Sequence, residues 1–166
     1  MKKVCLRLAT ARDLPAITRI YNDYVLHSTS TYQETPRTPA EARKWFADHD
    51  AAHPITVATI DGQVVGWASI SRFHARSAYR FTVENSVYID RNHHRKGIGS
   101  LLMTDLIARA RAHGHHAIIA LIDASQKASV AIHAKFGFKK AGRLRHVGLK
   151  FGRWLDVIYM ELLLDQ

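Results

Sequence analysis

At 166 residues, with 47% of them apolar, the chain is long enough to bury one core and reads as a single domain over residues 1–166. No run of eighteen residues lacks a charge, which excludes a transmembrane helix, and Arg7, Arg12 and Asp13 interrupt any leader-like start; a cytoplasmic protein with no membrane partner is expected. The formal net charge of +10 predicts attraction to anions, but Lys and Arg are spread along the whole chain, which argues against nucleic acid as the partner.

Lys3–Ala9 reads as a short strand. The lone Cys5, between Val4 and Leu6, cannot form an internal disulfide and is expected to be a buried thiol. Thr10 and Asp13 form a capping box ahead of Leu14, Ile17, Tyr21, Tyr24 and Val25, which recur at helical spacing. Thr38-Pro39-Ala40-Glu41 starts a second helix, carrying Trp45 and Phe46 and ending near Pro54. Thr56–Ile60 and Val64–Ser71 flank Asp61-Gly62, a strong hairpin signal.

Phe81–Asp90 alternates as a longer strand, and Ile98, Leu101, Leu102, Leu106 and Ala110 mark a helix that stops at Gly114. Ala117–Ile122 is a continuous apolar run, as expected of a strand buried on both faces. Ser125 is placed to cap a short helix through Lys135, with Gly137 at its left-handed end. Lys139–Leu149 and Trp154–Leu164 close the chain as strands. The order β α α β β β α β α β β predicts a mixed α/β sheet, in which a right-handed crossover makes strands 81–90 and 115–122 parallel.

Between the strand at 81–90 and the next helix lies His93-His94-Arg95-Lys96-Gly97-Ile98-Gly99. It lacks the P-loop string, and Leu102 stands where a dinucleotide fingerprint needs its third glycine. Two readings remain open on the residues alone. One is an ordinary strand-to-helix turn with a solvated basic flank. The other is a pyrophosphate cradle, in which Gly97 and Gly99 admit the oxyanion, the helix N-terminus faces it, and Arg95 and Lys96 add charge.

The stretch His94–Gly99 resembles motif A of the GCN5-related N-acetyltransferases, Q/R-x-x-G-x-G/A, with His94 where Gln or Arg is usual. Three further strings narrow the resemblance to the phosphinothricin and methionine sulfone/sulfoximine N-acetyltransferases: YRFTVENSVY at 79–88, ASVAIH at 128–133 and VGLKFGRWLD at 147–156. The resemblance implies the GNAT fold: a mixed, mostly antiparallel sheet, its central parallel pair splayed around acetyl-CoA, flanked by about four helices. It also implies a β-bulge in the strand at 81–90, freeing main-chain groups of Val87, Tyr88 and Ile89 for the pantetheine arm. Arg95, Lys96, Gly97, Ile98, Gly99 and Ser100 would hold the pyrophosphate, and Gln126, where an Asn is usual, would add a contact.

The implied reaction transfers acetyl from acetyl-CoA to the α-amino group of a small amino acid analogue. Glu84 matches the proposed general base, and a partly desolvated carboxylate is suited to that work; on residues alone it could equally be salt-bridged to Arg80. His133 matches a subfamily histidine able to act as acid or base. Arg76 matches a basic residue for the substrate carboxylate, with His74 replacing another usual Arg; Tyr32, Phe73, Asn85 and Ser86 would complete the substrate pocket. A homodimer is implied, and no metal. His113-Gly114-His115-His116 reads as a solvated helix end rather than a metal site. The alternatives are acetylation of another amine, a peptide N-terminus or polyamine, and a non-catalytic CoA- or nucleic-acid-binding module.

Overall fold

A computed structural model describes residues 3–164. Their elements are β1 (Val4–Leu8), α1 (Leu14–His27), α2 (Pro39–Ala47), β2 (Ile55–Ile60), β3 (Gln63–Arg72), β4 (Thr82–Ile89), α3 (Ile98–Ala112), β5 (Ala117–Asp123), α4 (Lys127–Lys135), β6 (Lys139–Lys150) and β7 (Arg153–Leu163). Local chemistry accounts for many of the boundaries. The Thr38 hydroxyl accepts the Glu41 N–H at 3.2 Å while Glu41 Oε2 accepts the Thr38 N–H at 2.8 Å, starting α2. Thr10 and Asp13 form the same device ahead of a 3-10 turn, Ala11–Asp13, that leads into α1. Arg7 grips the Asp13 carboxylate with two nitrogens, at 2.7 and 2.8 Å, and holds its pKa down at about 2 despite burial. Asp61 and Gly62 both take positive φ in the β2–β3 turn, which matches the twist of the strands they join.

The strands form one mixed sheet in the order β1-β2-β3-β4-β5-β7-β6, with β4 and β5 its parallel pair and every other neighbour antiparallel. Both faces are covered. The α3 side chains Ile98, Leu102, Met103, Leu106 and Ile107 pack in a core with Ala58, Ala68, Ile70 and Ile118. Ile17 and Ile20 of α1 pack with Val57, Val64 and Trp67 in a second cluster. Because successive strand residues point to opposite faces, Val64 through Ile70 are buried without a break. Each apolar side chain so buried contributes roughly 1.5–3 kcal/mol relative to exposure.

Several expectations are corrected. The register of β4 on β3 runs unbroken from Val83 to Ile89, so β4 carries no bulge there. Main-chain groups are freed on its other edge instead: the ladder to β5 stops at Glu84↔Ile119, because β5 turns away with β7. Cys5 is exposed; its neighbours Val4 and Leu6 take the core side of the edge strand, so Cys5 points to the opposite face. Ser125 does not cap α4. Its hydroxyl and N–H are bonded to the Asp123 carboxylate, at 2.8 and 3.1 Å, and Gln126 is the residue that precedes the helix. α2 stops at Ala47, well before Pro54. His113 and His116 are exposed, but His115 is buried, with its Nε2–H on the Ala52 carbonyl at 2.6 Å and its ring against His53. Among the described residues no helix is long and apolar enough to cross a membrane.

Candidate active site

Where β4 and β5 separate, a cavity of about 820 Å³ opens between them. Its wall on the β4 side is Glu84 through Ile89, and on the β5 side Ala120 through Asp123. Arg95 and Gly97 through Ser100 line one end, and Tyr32 and His133 also face into the cavity.

The glycine loop is shaped by its backbone. Gly97 precedes α3 in the left-handed conformation, φ 77°, and Arg95 also takes positive φ, 58°, in a turn that L side chains rarely adopt. Gly99, already in the helix, sits so close to Ile132 and Ile89 that a Cβ would meet their terminal methyls at 3.1 and 3.2 Å. Gly99 is therefore required by the packing of Ile132 and Ile89, while Gly97 through Ser100 line the cavity at the N-terminal end of α3, where a helix offers its first-turn N–H groups. Together with free main-chain groups on β4, this fits a long ligand carrying an amide chain and a diphosphate. His94 is used differently from a Gln or Arg at its position. Its Nε2 meets the Tyr24 hydroxyl at 2.9 Å and the Ile89 carbonyl at 3.2 Å, clasping α1 to the end of β4.

Glu84 is half-buried, and no described residue makes a hydrogen bond or ion pair with its carboxylate. Burial raises its pKa above the ordinary value. The suspected partner Arg80 is engaged elsewhere, over the Phe81 ring at 4.5 Å and on the Ser77 carbonyl at 3.4 Å. His133 is buried and its pKa is lowered by desolvation. Its Nδ1 lies 2.7 Å from the Ser129 carbonyl, so the neutral ring carries its proton there; Nε2 accepts from the Asn85 amide at 2.9 Å. General-acid work from Nε2 therefore requires that nitrogen to take up a proton first.

Tyr32 crosses to the opposite wall, donating to the Asp156 carbonyl at 2.9 Å. Burial pushes its phenol pKa up to about 12, with Asp123 and Asp156 adding to the effect. Behind Tyr88 stands an aromatic stack in which Tyr21 and Tyr24 meet its ring edge-on, at 5.3 and 5.1 Å. Gln126 also faces the cavity, its amide on the Thr29 hydroxyl at 3.0 Å.

The cavity thus brings together Glu84, His133, Val87, Tyr88, Ile89, Arg95, Gly97, Ile98, Gly99, Ser100, Gln126, Tyr32, Asn85 and Ser86 from the sequence-predicted set. It leaves out four. Lys96 turns back onto the Asn92 carbonyl at 3.0 Å. Phe73, His74 and Arg76 sit on the outward connection between β3 and β4, where both rings pack on Tyr79 and the His74 Nδ1 accepts the Arg76 N–H. Sequence reasoning missed Asp123, Tyr159, Leu144 and Val147 as cavity residues. Val147 reaches the cavity because the β6–β7 register breaks between Leu144 and Gly148, an irregularity whose one local sign is the isolated Gly148 inside the strand pattern.

The sequence model of the acetyltransferase (GNAT) family matches residues 15–138. An L-methionine sulfoximine/L-methionine sulfone acetyltransferase of Pseudomonas paraeruginosa is 42% identical over 162 residues, 96% of this chain and 94% of the relative. A phosphinothricin N-acetyltransferase of Alcaligenes faecalis is 41% identical over 158 residues, covering 94% of this chain and 80% of the relative. Among solved structures, a GNAT superfamily phosphinothricin acetyltransferase from Sinorhizobium meliloti in complex with acetyl-CoA superposes with a TM-score of 0.93 at 40% identity, over 96% of this chain and 88% of that one.

Proposed function

The chain belongs to the GNAT acetyltransferase family and is an acetyl-CoA-dependent acetyltransferase, and from that premise we propose that it acetylates the α-amino group of small amino acid analogues: methionine sulfoximine, methionine sulfone and phosphinothricin. The observation that carries the proposal is Glu84, a half-buried carboxylate with no counter-ion among the described residues, standing where the two central strands part. The acceptor arrives as an ammonium, and only its neutral form has a lone pair for acyl transfer. Glu84 takes that proton, its raised pKa bringing it closer to the operating range of a base. Bound acetyl-CoA would supply the acetyl group as a thioester: the neutral amine attacks the carbonyl carbon, the C–S bond breaks as the N–C bond forms, and CoA leaves as a thiolate that takes up the proton shed by the new amide nitrogen. The Arg95–Ser100 loop would hold its diphosphate, and the free edge of β4 from Asn85 to Ile89 its pantetheine arm. Asn85, the next residue of β4 and so on the opposite face from Glu84, is held by its amide to the His133 ring. Gln126 holds the Thr29 end of the segment that brings in Tyr32.

Incubation with acetyl-CoA and a panel of amino acids, peptides and polyamines, read by mass spectrometry, tests the substrate class. N-acetylation of the three analogues is expected, and product from peptides or polyamines alone would overturn the assignment.

The proposal extends to a homodimer built on the β6–β7 hairpin. Leu149, Phe151 and Trp154 are all at least half exposed there, Trp154 at 61%, an apolar surface unusual on a free monomer. Sedimentation velocity is expected to give a dimer that Trp154→Glu dissociates; a monomeric wild type would rule this assembly out.

A further inference from the structure

Lys150, the last residue of β6, is 2% exposed, and no described carboxylate lies within ion-pair distance of it, Glu34 acting on it only from farther off. A buried ammonium is costly unless hydrogen bonds satisfy it. Its Nζ donates to the Ser28 and Thr31 carbonyls, both at 2.8 Å. These carbonyls belong to the strap that follows α1 and carries Tyr32 into the cavity. Two residues earlier on β6, Gly148 lies flat against the Tyr32 ring. A Cβ there would stand 2.7 Å from two ring carbons, a distance that forces the ring to move. Lys150 itself does not line the cavity.

We propose that the end of β6 is a positioning device for the acceptor amino acid. Lys150 anchors the 28–32 strap by its two carbonyls, and Gly148 sets the depth of the Tyr32 ring opposite Glu84. The inference rests on the reading that the acceptor occupies the Glu84–Tyr32 part of the cavity. Among the described residues no hydrogen bond joins the Arg95–Ser100 loop to the strap, whose link to the cofactor side is Gln126 on the Thr29 hydroxyl, so the device is expected to act on the acceptor and leave the diphosphate hold intact.

The test is steady-state kinetics on Lys150→Met and Gly148→Ala, with methionine sulfone as acceptor and acetyl-CoA affinity measured separately by calorimetry. A misplaced pocket wall is expected to raise the acceptor KM roughly ten- to hundredfold in either variant, with acetyl-CoA Kd unchanged. Loss of general integrity would instead weaken both substrates together and lower Tm. If Lys150→Met does not fold, Gly148→Ala decides, since it adds one methyl and removes no hydrogen bond. Folded variants with wild-type acceptor KM would overturn the proposal. A wild type that acetylates no amino acid would count against the substrate reading and not against the device.

Discussion

Glu84→Gln is expected to lower kcat by roughly 10²–10⁴-fold, the range that a lost general base accounts for, while acetyl-CoA binding in calorimetry is unchanged. The side chain is nearly isosteric, and the cofactor loop is built elsewhere, so a binding loss is not anticipated. The pH dependence gives a second readout. Burial raises the Glu84 pKa above 4.5, and a base works only when ionised. The rate of the wild type is therefore expected to rise with pH along an acidic limb displaced above the ordinary carboxylate value, and the limb should vanish in the variant. The sign for stability is opposite to that of a salt-bridged carboxylate. With the folded pKa above the unfolded one, ionisation favours the unfolded chain, so stability is lost as pH rises through the folded pKa. Glu84→Gln is thus expected to retain or raise Tm at neutral pH. Unchanged turnover, or a loss of turnover that follows a loss of Tm, would remove Glu84 from the role of base.

Gly97→Val is expected to weaken acetyl-CoA binding by at least about tenfold, equivalent to roughly 1.4 kcal/mol. A Cβ at Gly97 meets nothing within 4 Å, so the effect does not come from a clash with the protein. It comes from φ 77°, which costs an ordinary L residue roughly 1–2 kcal/mol and a β-branched one more. The chain would relax the turn and re-aim the first N–H groups of α3. Gly97→Asn, which tolerates that conformation better, should be milder. Normal affinity of the Val variant in calorimetry would remove the diphosphate assignment from this loop.

The features legible in the sequence are those set by a residue's own backbone preference. The Thr38 box and the Asp61-Gly62 turn lie where they are expected, since each depends on chemistry within a few residues. Glu84 and the β4 wall were also in the expected place, carried by the family strings rather than by the glycines. What was not legible depends on distant partners. The Ser125 hydroxyl is an exception, since Asp123, only two residues away, claims it before it can cap α4. β7 inserts between β5 and β6, a pairing that a hairpin pattern leaves open. Free main-chain groups arise from the divergence of β5 and not from a bulge, and only the full sheet decides between those two origins. His94 owes its clasp to Tyr24, seventy positions away.

The short β4–β5 ladder has a mechanical consequence. Its paired positions, Thr82 to Glu84 against Ala117 to Ile119, form the seam that joins a leaf of β1–β4 to a leaf of β5–β7. The core beneath α3 runs across the same line, from Ala58 to Met160, and ties the two leaves together. Beyond the seam the leaves share no ladder, so a ligand bonded to the free edge of β4 while resting on β5 would take the place of the missing strand pairing.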